Sequence, residues 1–136
     1  MPSLLAVDPG DTTGWVQFRD LGGAWAMSLH GQTTAGVPPL PWDGLRVVVV
    51  EAIPEDKGTP AQHRAYQQAM ELARSRGATL HIVAPSQWKP WARARGVKKE
   101  ARDPEGERRA YLKDHALDAY CMGRYVLWRH YERSHK

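Results

Sequence analysis

Leu45-Arg-Val-Val-Val-Val-Glu51 is the most strand-like segment of this 136-residue chain. Four consecutive β-branched residues without polar alternation are typical of a strand that is covered on both faces. This segment ends in a carboxylate. A second apolar run, Ser3-Leu-Leu-Ala-Val-Asp8, also ends in a carboxylate and is followed by the turn residues Pro9-Gly10. Two buried strands, each with an acid at its carboxyl end, therefore define both the predicted fold and the candidate site.

The rest of the chain predicts an α/β fold. Predicted strands cover residues 3–8, 14–18, 24–30, 45–51 and 79–84, and predicted helices cover about 60–76, 87–95 and 103–132. Thr59-Pro60 and Asp103-Pro104 are the helix starts, since Thr or Asp caps a helix and Pro suits its first turn. An antiparallel meander followed by a parallel crossover gives a mixed five-stranded sheet flanked by helices. We expect one domain over residues 1–136.

Composition limits the classes of protein that this chain can belong to. Hydrophobic residues make up 42% and charged residues 25%, which is ordinary for a globular protein. A single cysteine, Cys121, excludes an intramolecular disulfide and a cysteine-based zinc cluster. The sequence contains no apolar run of about 20 residues and no secretory signal. We therefore expect a cytoplasmic protein without a membrane partner.

Positive charge is concentrated in the C-terminal half of the chain, and the formal net charge is +4. Only Arg19 and Arg46 are basic in the first fifty residues, whereas nine Lys or Arg lie from Lys89 to Lys113. Such a distribution favours a nucleic-acid partner, although a solvated charged segment is the alternative. The candidate phosphate-binding residues are Lys89, Arg93, Arg95, Lys98, Lys99 and Arg102. Trp88 and Trp91 lie nearby, where they would either stack on unpaired bases or belong to the core.

Asp8 and Glu51 are candidate metal ligands. Sites in open α/β sheets gather at the carboxyl ends of strands, and neighbouring strands lie about 4.8 Å apart. Two ionised carboxylates this close repel each other unless a cation lies between them, and oxygen ligands select Mg²⁺ or Mn²⁺. The alternative is that each acid only ends a strand at the protein surface.

The last predicted helix carries three further candidates. His115 and Asp118 are three residues apart, and Asp114 and Asp118 are four apart, so that each pair shares a helix face. Apolar neighbours indicate that this part of the helix packs on the protein, where a buried acid needs a partner. A surface salt bridge of Asp118 and a hydrogen-bonded, half-buried His115 are the structural alternatives.

Four segments, in order, resemble the motifs of the RuvC-type Holliday junction resolvases, which belong to the ribonuclease H-like superfamily. Leu5-Ala-Val-Asp-Pro-Gly-Asp-Thr-Thr-Gly-Trp15 resembles the first motif of that family, and Val47-Val-Val-Val-Glu51 resembles the second. His115-Ala-Leu-Asp-Ala119 resembles the last, and Pro85-Ser-Gln-Trp-Lys89 with Lys98-Lys99 resembles the helix and basic loop that precede it. The matches span nearly the whole chain, whose short length is compatible with a phage-type member.

The resemblance implies a homodimeric endonuclease of DNA recombination and repair that cuts four-way junctions with two Mg²⁺ ions per site, for which Mn²⁺ would substitute. In that scheme Asp8 bridges the ions, Glu51 binds one, and His115 and Asp118 bind the other, with Asp114 as the alternative to His115. Two other functions stay open. One is a ribonuclease H-like nuclease acting on RNA–DNA hybrids or RNA, and the other is a non-catalytic nucleic-acid-binding module. The three acids favour an enzyme, and the last motif favours a resolvase.

Overall fold

A computed structural model describes residues 1–34, 36–38, 42–54, 56–98 and 114–132. Its strands are β1 (Ser3–Asp8), β2 (Thr13–Asp20), β3 (Trp25–Thr33), β4 (Leu45–Glu51) and β5 (Thr79–Val83). Its helices are α1 (Pro60–Arg76), α2 (Pro85–Arg95) and α3 (Asp114–Val126), and α3 continues into a π-helical segment, Leu127–Glu132. The predicted helix start at Asp103 lies outside the described residues, as do Lys99 and Arg102.

The five strands form one mixed sheet in the order β3-β2-β1-β4-β5. β1 pairs with β2 in an antiparallel arrangement and with β4 in a parallel one, and β4 and β5 are also parallel. The predicted meander with a parallel crossover is therefore confirmed. β2 and β3 are longer than predicted because they pair from Thr13↔Thr33 to Asp20↔Trp25. The residues of β3 are partly or largely exposed, so the pattern of apolar residues does not reveal where the strand ends.

Helices cover both faces of the sheet, which explains the valine run of β4. Side chains alternate between faces along a strand, so Val47 and Val49 belong to one core and Val48 and Val50 to the other. α2 and α3 pack on the first face, and α1 packs on the second. All four valines are at most 3% exposed. β4 is thus covered on both sides, as its sequence predicts.

Local sequence signals set the ends of α1 and α2. The Thr59 side chain accepts a hydrogen bond from the Gln62 amide, and Gly77 ends α1 in the left-handed conformation at φ 62°. α2 begins at Pro85, two residues before the predicted start, because the Gln87 side chain accepts a hydrogen bond from the Ala84 amide. The predicted loop after Gly96 is wrong at Val97 and Lys98, which are helical. The buried Val97 side chain packs into the core there. Within the part of the chain that the structure describes, no helix has the length and apolar character needed to cross a membrane.

Candidate active site

The register of β1 and β4 brings Asp8 and Glu51 to the same edge of the sheet. Val7 pairs with Val50, so the two acids are the next residues along the parallel strands. Their neighbours Ala6 and Val49 share the core beneath α2 and α3, which places both carboxylates on that side of the sheet. Asp8 is only 7% exposed. It therefore does not simply end a strand at the protein surface.

Two residues of the meander hold the beginning of α3 against this edge. A Cβ atom added at Gly14 would lie 2.0 Å from the carbonyl carbon of His115, so the helix contacts β2 at a position that only glycine allows. The Gln32 Oε1 atom accepts hydrogen bonds from the His115 amide at 2.8 Å and the Ala116 amide at 3.3 Å. Amides at the start of a helix have no partner within it, so Gln32 stabilises this end of α3.

Each of the three predicted acids lies close to a nitrogen atom of a residue in or just after a helix. Asp8 Oδ2 lies 3.2 Å from His115 Nδ1. Glu51 Oε2 accepts a 2.8 Å hydrogen bond from Trp88 Nε1. Asp118 Oδ1 forms an ion pair with Lys98 Nζ at 3.1 Å. The acids of the sheet and of α3 thus meet in one place, together with partner groups from α2, from α3 and from the helical residues that follow Gly96.

These residues line one cleft of about 450 Å³, which we call the acidic cleft. Its lining consists of Asp8, Pro9, Gly10, Asp11, Thr12, Glu51, Thr59, Gln62, His115 and Asp118. The structure therefore brings together the predicted set Asp8, Glu51, His115 and Asp118. Asp114, the alternative to His115, is exposed on the first turn of α3 and is not part of the cleft lining.

The acidic cleft disfavours ionised carboxylates. Burial first, and then the charges of Glu51 and Asp118, raise the pKa of Asp8 to about 7, although the His115 ring opposes this rise. Burial also raises the pKa of Glu51, whereas the Trp88 N–H group and the Lys89 charge act to lower it. A cation in the cleft would remove the repulsion between these acids.

The chemistry of the donors suits a hard divalent cation. Three carboxylates and one imidazole are available, and Asp118 Oδ1 is buried without a hydrogen bond from any described residue, despite its ion pair with Lys98. Among the described residues, however, no three His, Cys, Asp or Glu side chains are close enough to share one ion. To share one cation, some of these side chains must change conformation.

A second cleft of about 470 Å³ adjoins the first, and we call it the basic cleft. Its lining consists of Trp88, Lys89, Ala92, Arg93, Gly96, Lys98 and Asp118. The two clefts share Asp118, so predicted phosphate-binding residues begin where the acids end. Arg95 instead lies over the rings of Trp91 and Trp128, at 5.3 and 4.8 Å from their centroids.

Sequence reasoning missed three contributors to the site. Trp88 is 1% exposed and belongs to the core, which was one of its two predicted roles. It also donates a hydrogen bond to Glu51, which was not predicted. Gln32 lies 83 residues before His115, whose amide it binds, and no local signal marks such a contact. Asp11 accepts a 2.7 Å hydrogen bond from Thr59 Oγ1, which ties the turn after β1 to the start of α1. The Thr59 N-cap was recognisable, but its second partner was not.

Thr12 and Thr13 belong to the segment that follows the turn after Asp8. Thr13 Oγ1 donates a 3.2 Å hydrogen bond to the Gly10 carbonyl, which closes the turn. Thr12 lines the acidic cleft. Asp8 and the turn that follows it therefore line the acidic cleft as one short segment, residues 8–12.

Comparison with known proteins identifies the fold. The sequence matches no protein-family profile and no curated protein at a significant level. A structure of RuvC from Thermus thermophilus matches with a TM-score of 0.69 and 15% identity, over 98% of this chain and 96% of that one. T. thermophilus RuvC in complex with a Holliday junction substrate matches with a TM-score of 0.68 and 15% identity, over 97% and 98%. The chain therefore has the fold of RuvC, and the predicted ribonuclease H-like α/β architecture is confirmed.

Proposed function

We propose that this protein is a divalent-metal-dependent endonuclease that cuts four-way DNA junctions. The observation that carries the proposal is the meeting of Asp8, Glu51, His115 and Asp118 in one cleft, on a fold shared with a protein solved on a Holliday junction. The adjoining basic cleft supports it, because a phosphodiester substrate needs positive charge beside the acids that would hold a cation.

In this proposal the residues of the acidic cleft hold two Mg²⁺ ions, for which Mn²⁺ substitutes. Asp8, which lines the cleft together with Glu51 and the α3 residues, would contact both ions, Glu51 would hold one, and His115 with Asp118 would hold the other. When bound, such ions supply the positive charge that lowers the pKa of water and stabilises the leaving 3′ oxygen. The products would carry 5′-phosphates.

The chain's own residues contribute orientation and charge. The Trp88 indole donates a hydrogen bond to the Glu51 carboxylate, and the His115 ring faces Asp8. Lys89 and Arg93 in the basic cleft would bind phosphates that flank the scissile bond. Lys98 now pairs with Asp118 and has half of its side chain exposed, so an arriving phosphate could replace Asp118 as its partner.

A homodimer is part of the proposal because a four-way junction has two strands to cut symmetrically. Each protomer would then supply one acidic cleft. Sedimentation of the purified protein with and without a junction measures the number of protomers bound. Junction cleavage by a species that sediments as a monomer would remove the dimer from the proposal.

The decisive experiment compares four substrates of matched sequence: a four-way junction, a linear duplex, an RNA–DNA hybrid and a single strand. Each is incubated with Mg²⁺, Mn²⁺ or a chelator. We expect paired, symmetric nicks in the junction with either metal and none with the chelator. Preferred cleavage of the hybrid would instead assign a ribonuclease H-like activity, and binding without cleavage of any substrate would assign a non-catalytic module.

Two variants serve as the matched pair in that experiment. Asp8→Asn keeps the size of the side chain but removes a charge from the acidic cleft, and we expect it to bind the junction without cutting it. Asp43→Asn changes an exposed acid outside that cleft and should cut at the wild-type rate. Equal cleavage by the two variants would exclude Asp8 from the reaction.

A further inference from the structure

Trp88 is the one buried aromatic residue among the described ones that lines the basic cleft, and it also touches an acid of the neighbouring cleft. Its side chain is 1% exposed, and its Nε1–H group donates a 2.8 Å hydrogen bond to Glu51 Oε2. A buried indole has few positions available to it, because the core around α2 and the sheet fixes its ring. Its N–H group is therefore a preorganised donor to the carboxylate.

We propose that Trp88 is a positioning residue that holds the Glu51 carboxylate in the orientation needed to bind a divalent cation. This inference rests on the proposed function and deepens it. Glu51 is partly buried at the end of β4, where a carboxylate needs a hydrogen-bond donor. Trp88 provides that donor to Oε2, and Glu51 lines the acidic cleft. Such outer partners of metal ligands set ligand orientation and basicity.

The ring of Trp88 also contacts the basic cleft. Lys89 Nζ lies 5.6 Å from the centroid of the indole ring, where a cation is attracted to the π-face. The same side chain therefore bonds to Glu51 through its edge and to Lys89 through its face. A phosphate that draws Lys89 away from the ring would leave the N–H bond to Glu51 in place, so the carboxylate keeps its orientation during substrate binding.

Trp88→Phe tests the inference because it removes the N–H donor and keeps an aromatic face for Lys89. The matched control is Trp91→Phe on the same helix, since the Nε1 atom of Trp91 has no hydrogen-bond partner among the described residues. Calorimetric titration with Mn²⁺ alone measures ion affinity without cleavage. We expect Trp88→Phe to weaken Mn²⁺ binding by about 10-fold to 100-fold, the range for lost outer partners of metal ligands, and Trp91→Phe to leave it within twofold of wild type.

A double-mutant cycle separates positioning from a general loss of structure. In a Glu51→Ala background there is no carboxylate to orient, so adding Trp88→Phe should cause no further loss of Mn²⁺ affinity. An equal loss in both backgrounds would mean that Trp88 acts only through packing and would overturn the inference. Unchanged or tighter Mn²⁺ binding by Trp88→Phe would overturn it as well, because the indole would then be holding Glu51 away from the ion.

A measurement on the unmodified protein avoids any dependence on how the variant folds. The chain has six tryptophans, so its ¹H–¹⁵N spectrum contains six indole signals that single Phe variants assign. Titration with Mg²⁺ should move the Trp88 signal and leave the Trp91 signal unchanged. A stationary Trp88 signal at saturating Mg²⁺ would refute the role of Trp88, whereas failure of the wild-type protein to bind any divalent ion would refute the proposed function itself.

Discussion

Replacement of Asp8 by Asn should stabilise the metal-free protein at pH 8, although it removes a residue of the proposed active site. Asp8 is 7% exposed, and its pKa is raised from 3.8 to about 7, chiefly by burial and then by the charge of Glu51. Ionisation of Asp8 therefore costs the folded protein free energy that the unfolded chain does not lose. Asn has nearly the same shape and carries no charge, so it removes this cost.

The magnitude follows from the pKa. A rise from 3.8 to about 7 corresponds to an upper limit of about 4 kcal/mol in the free energy of unfolding. The contact with His115 opposes the rise and is altered in the variant, so we expect a gain of about 1–3 kcal/mol. Because the folded-state pKa is the higher one, the folded state binds more protons, and wild-type stability falls as pH increases from about 4 to 7. The advantage of Asn should grow over this window and then stay constant.

Urea unfolding at pH 4, 6 and 8 in the presence of a chelator measures this difference. Asp43→Asn, which replaces an exposed acid, should stay within about 0.5 kcal/mol of wild type at each pH. Mg²⁺ should cancel most of this advantage or reverse it, because an ion at 100 times its dissociation constant adds about 2.7 kcal/mol to the protein that binds it. A metal-free Asp8→Asn protein that is less stable than wild type at pH 8 would refute the reasoning, since the His115 contact would then outweigh the cost of burial.

Three further predictions concern the surroundings of the cleft. Gly14→Ala should lower the free energy of unfolding by about 1–3 kcal/mol in urea, because the new methyl group overlaps the backbone of His115; stability equal to wild type would show that α3 can move away. Gln32→Leu should cost about 1 kcal/mol in the same assay through the lost helix cap, and no loss would deny that role. Arg93→Ala should reduce the slope of log junction affinity against log salt by about 1, whereas Arg95→Ala, which removes a cation that stacks on two tryptophans, should leave the slope unchanged; equal slopes for the two variants would contradict the assignment of the basic cleft.

Much of the sheet and the start of α1 were predictable because short, local segments of the sequence mark them. Four valines and a terminal carboxylate mark β4, and Thr59 with Pro60 marks the start of α1, without reference to any distant residue. The length of β3 was not predictable, because that strand is held by pairing with β2 and alternates weakly in burial. Val97 shows the same limit, since a valine among basic residues looks like part of a loop until the core that it enters is known.

The acids of the site were predictable for a related reason, whereas their partners were not. The sheet order alone places Asp8 beside Glu51, since parallel neighbours in register end at the same edge. The partners depend on how the helices pack on the sheet. His115 is 107 residues from Asp8 in the sequence, and Trp88 is 37 residues from Glu51. Neither contact follows from spacing or periodicity.

This difference has a chemical consequence for the proposed enzyme. In the metal-free protein each acid has a partner on or next to a helix. Trp88, the partner of Glu51, is fixed in the core, whereas His115 and Lys98, the partners of Asp8 and Asp118, have side chains that are about half exposed. His115 and Lys98 can therefore turn away when an ion or a phosphate arrives, but Trp88 cannot. Metal binding at this cleft should accordingly reorganise the α3 side of the site and leave the β4 side as it is.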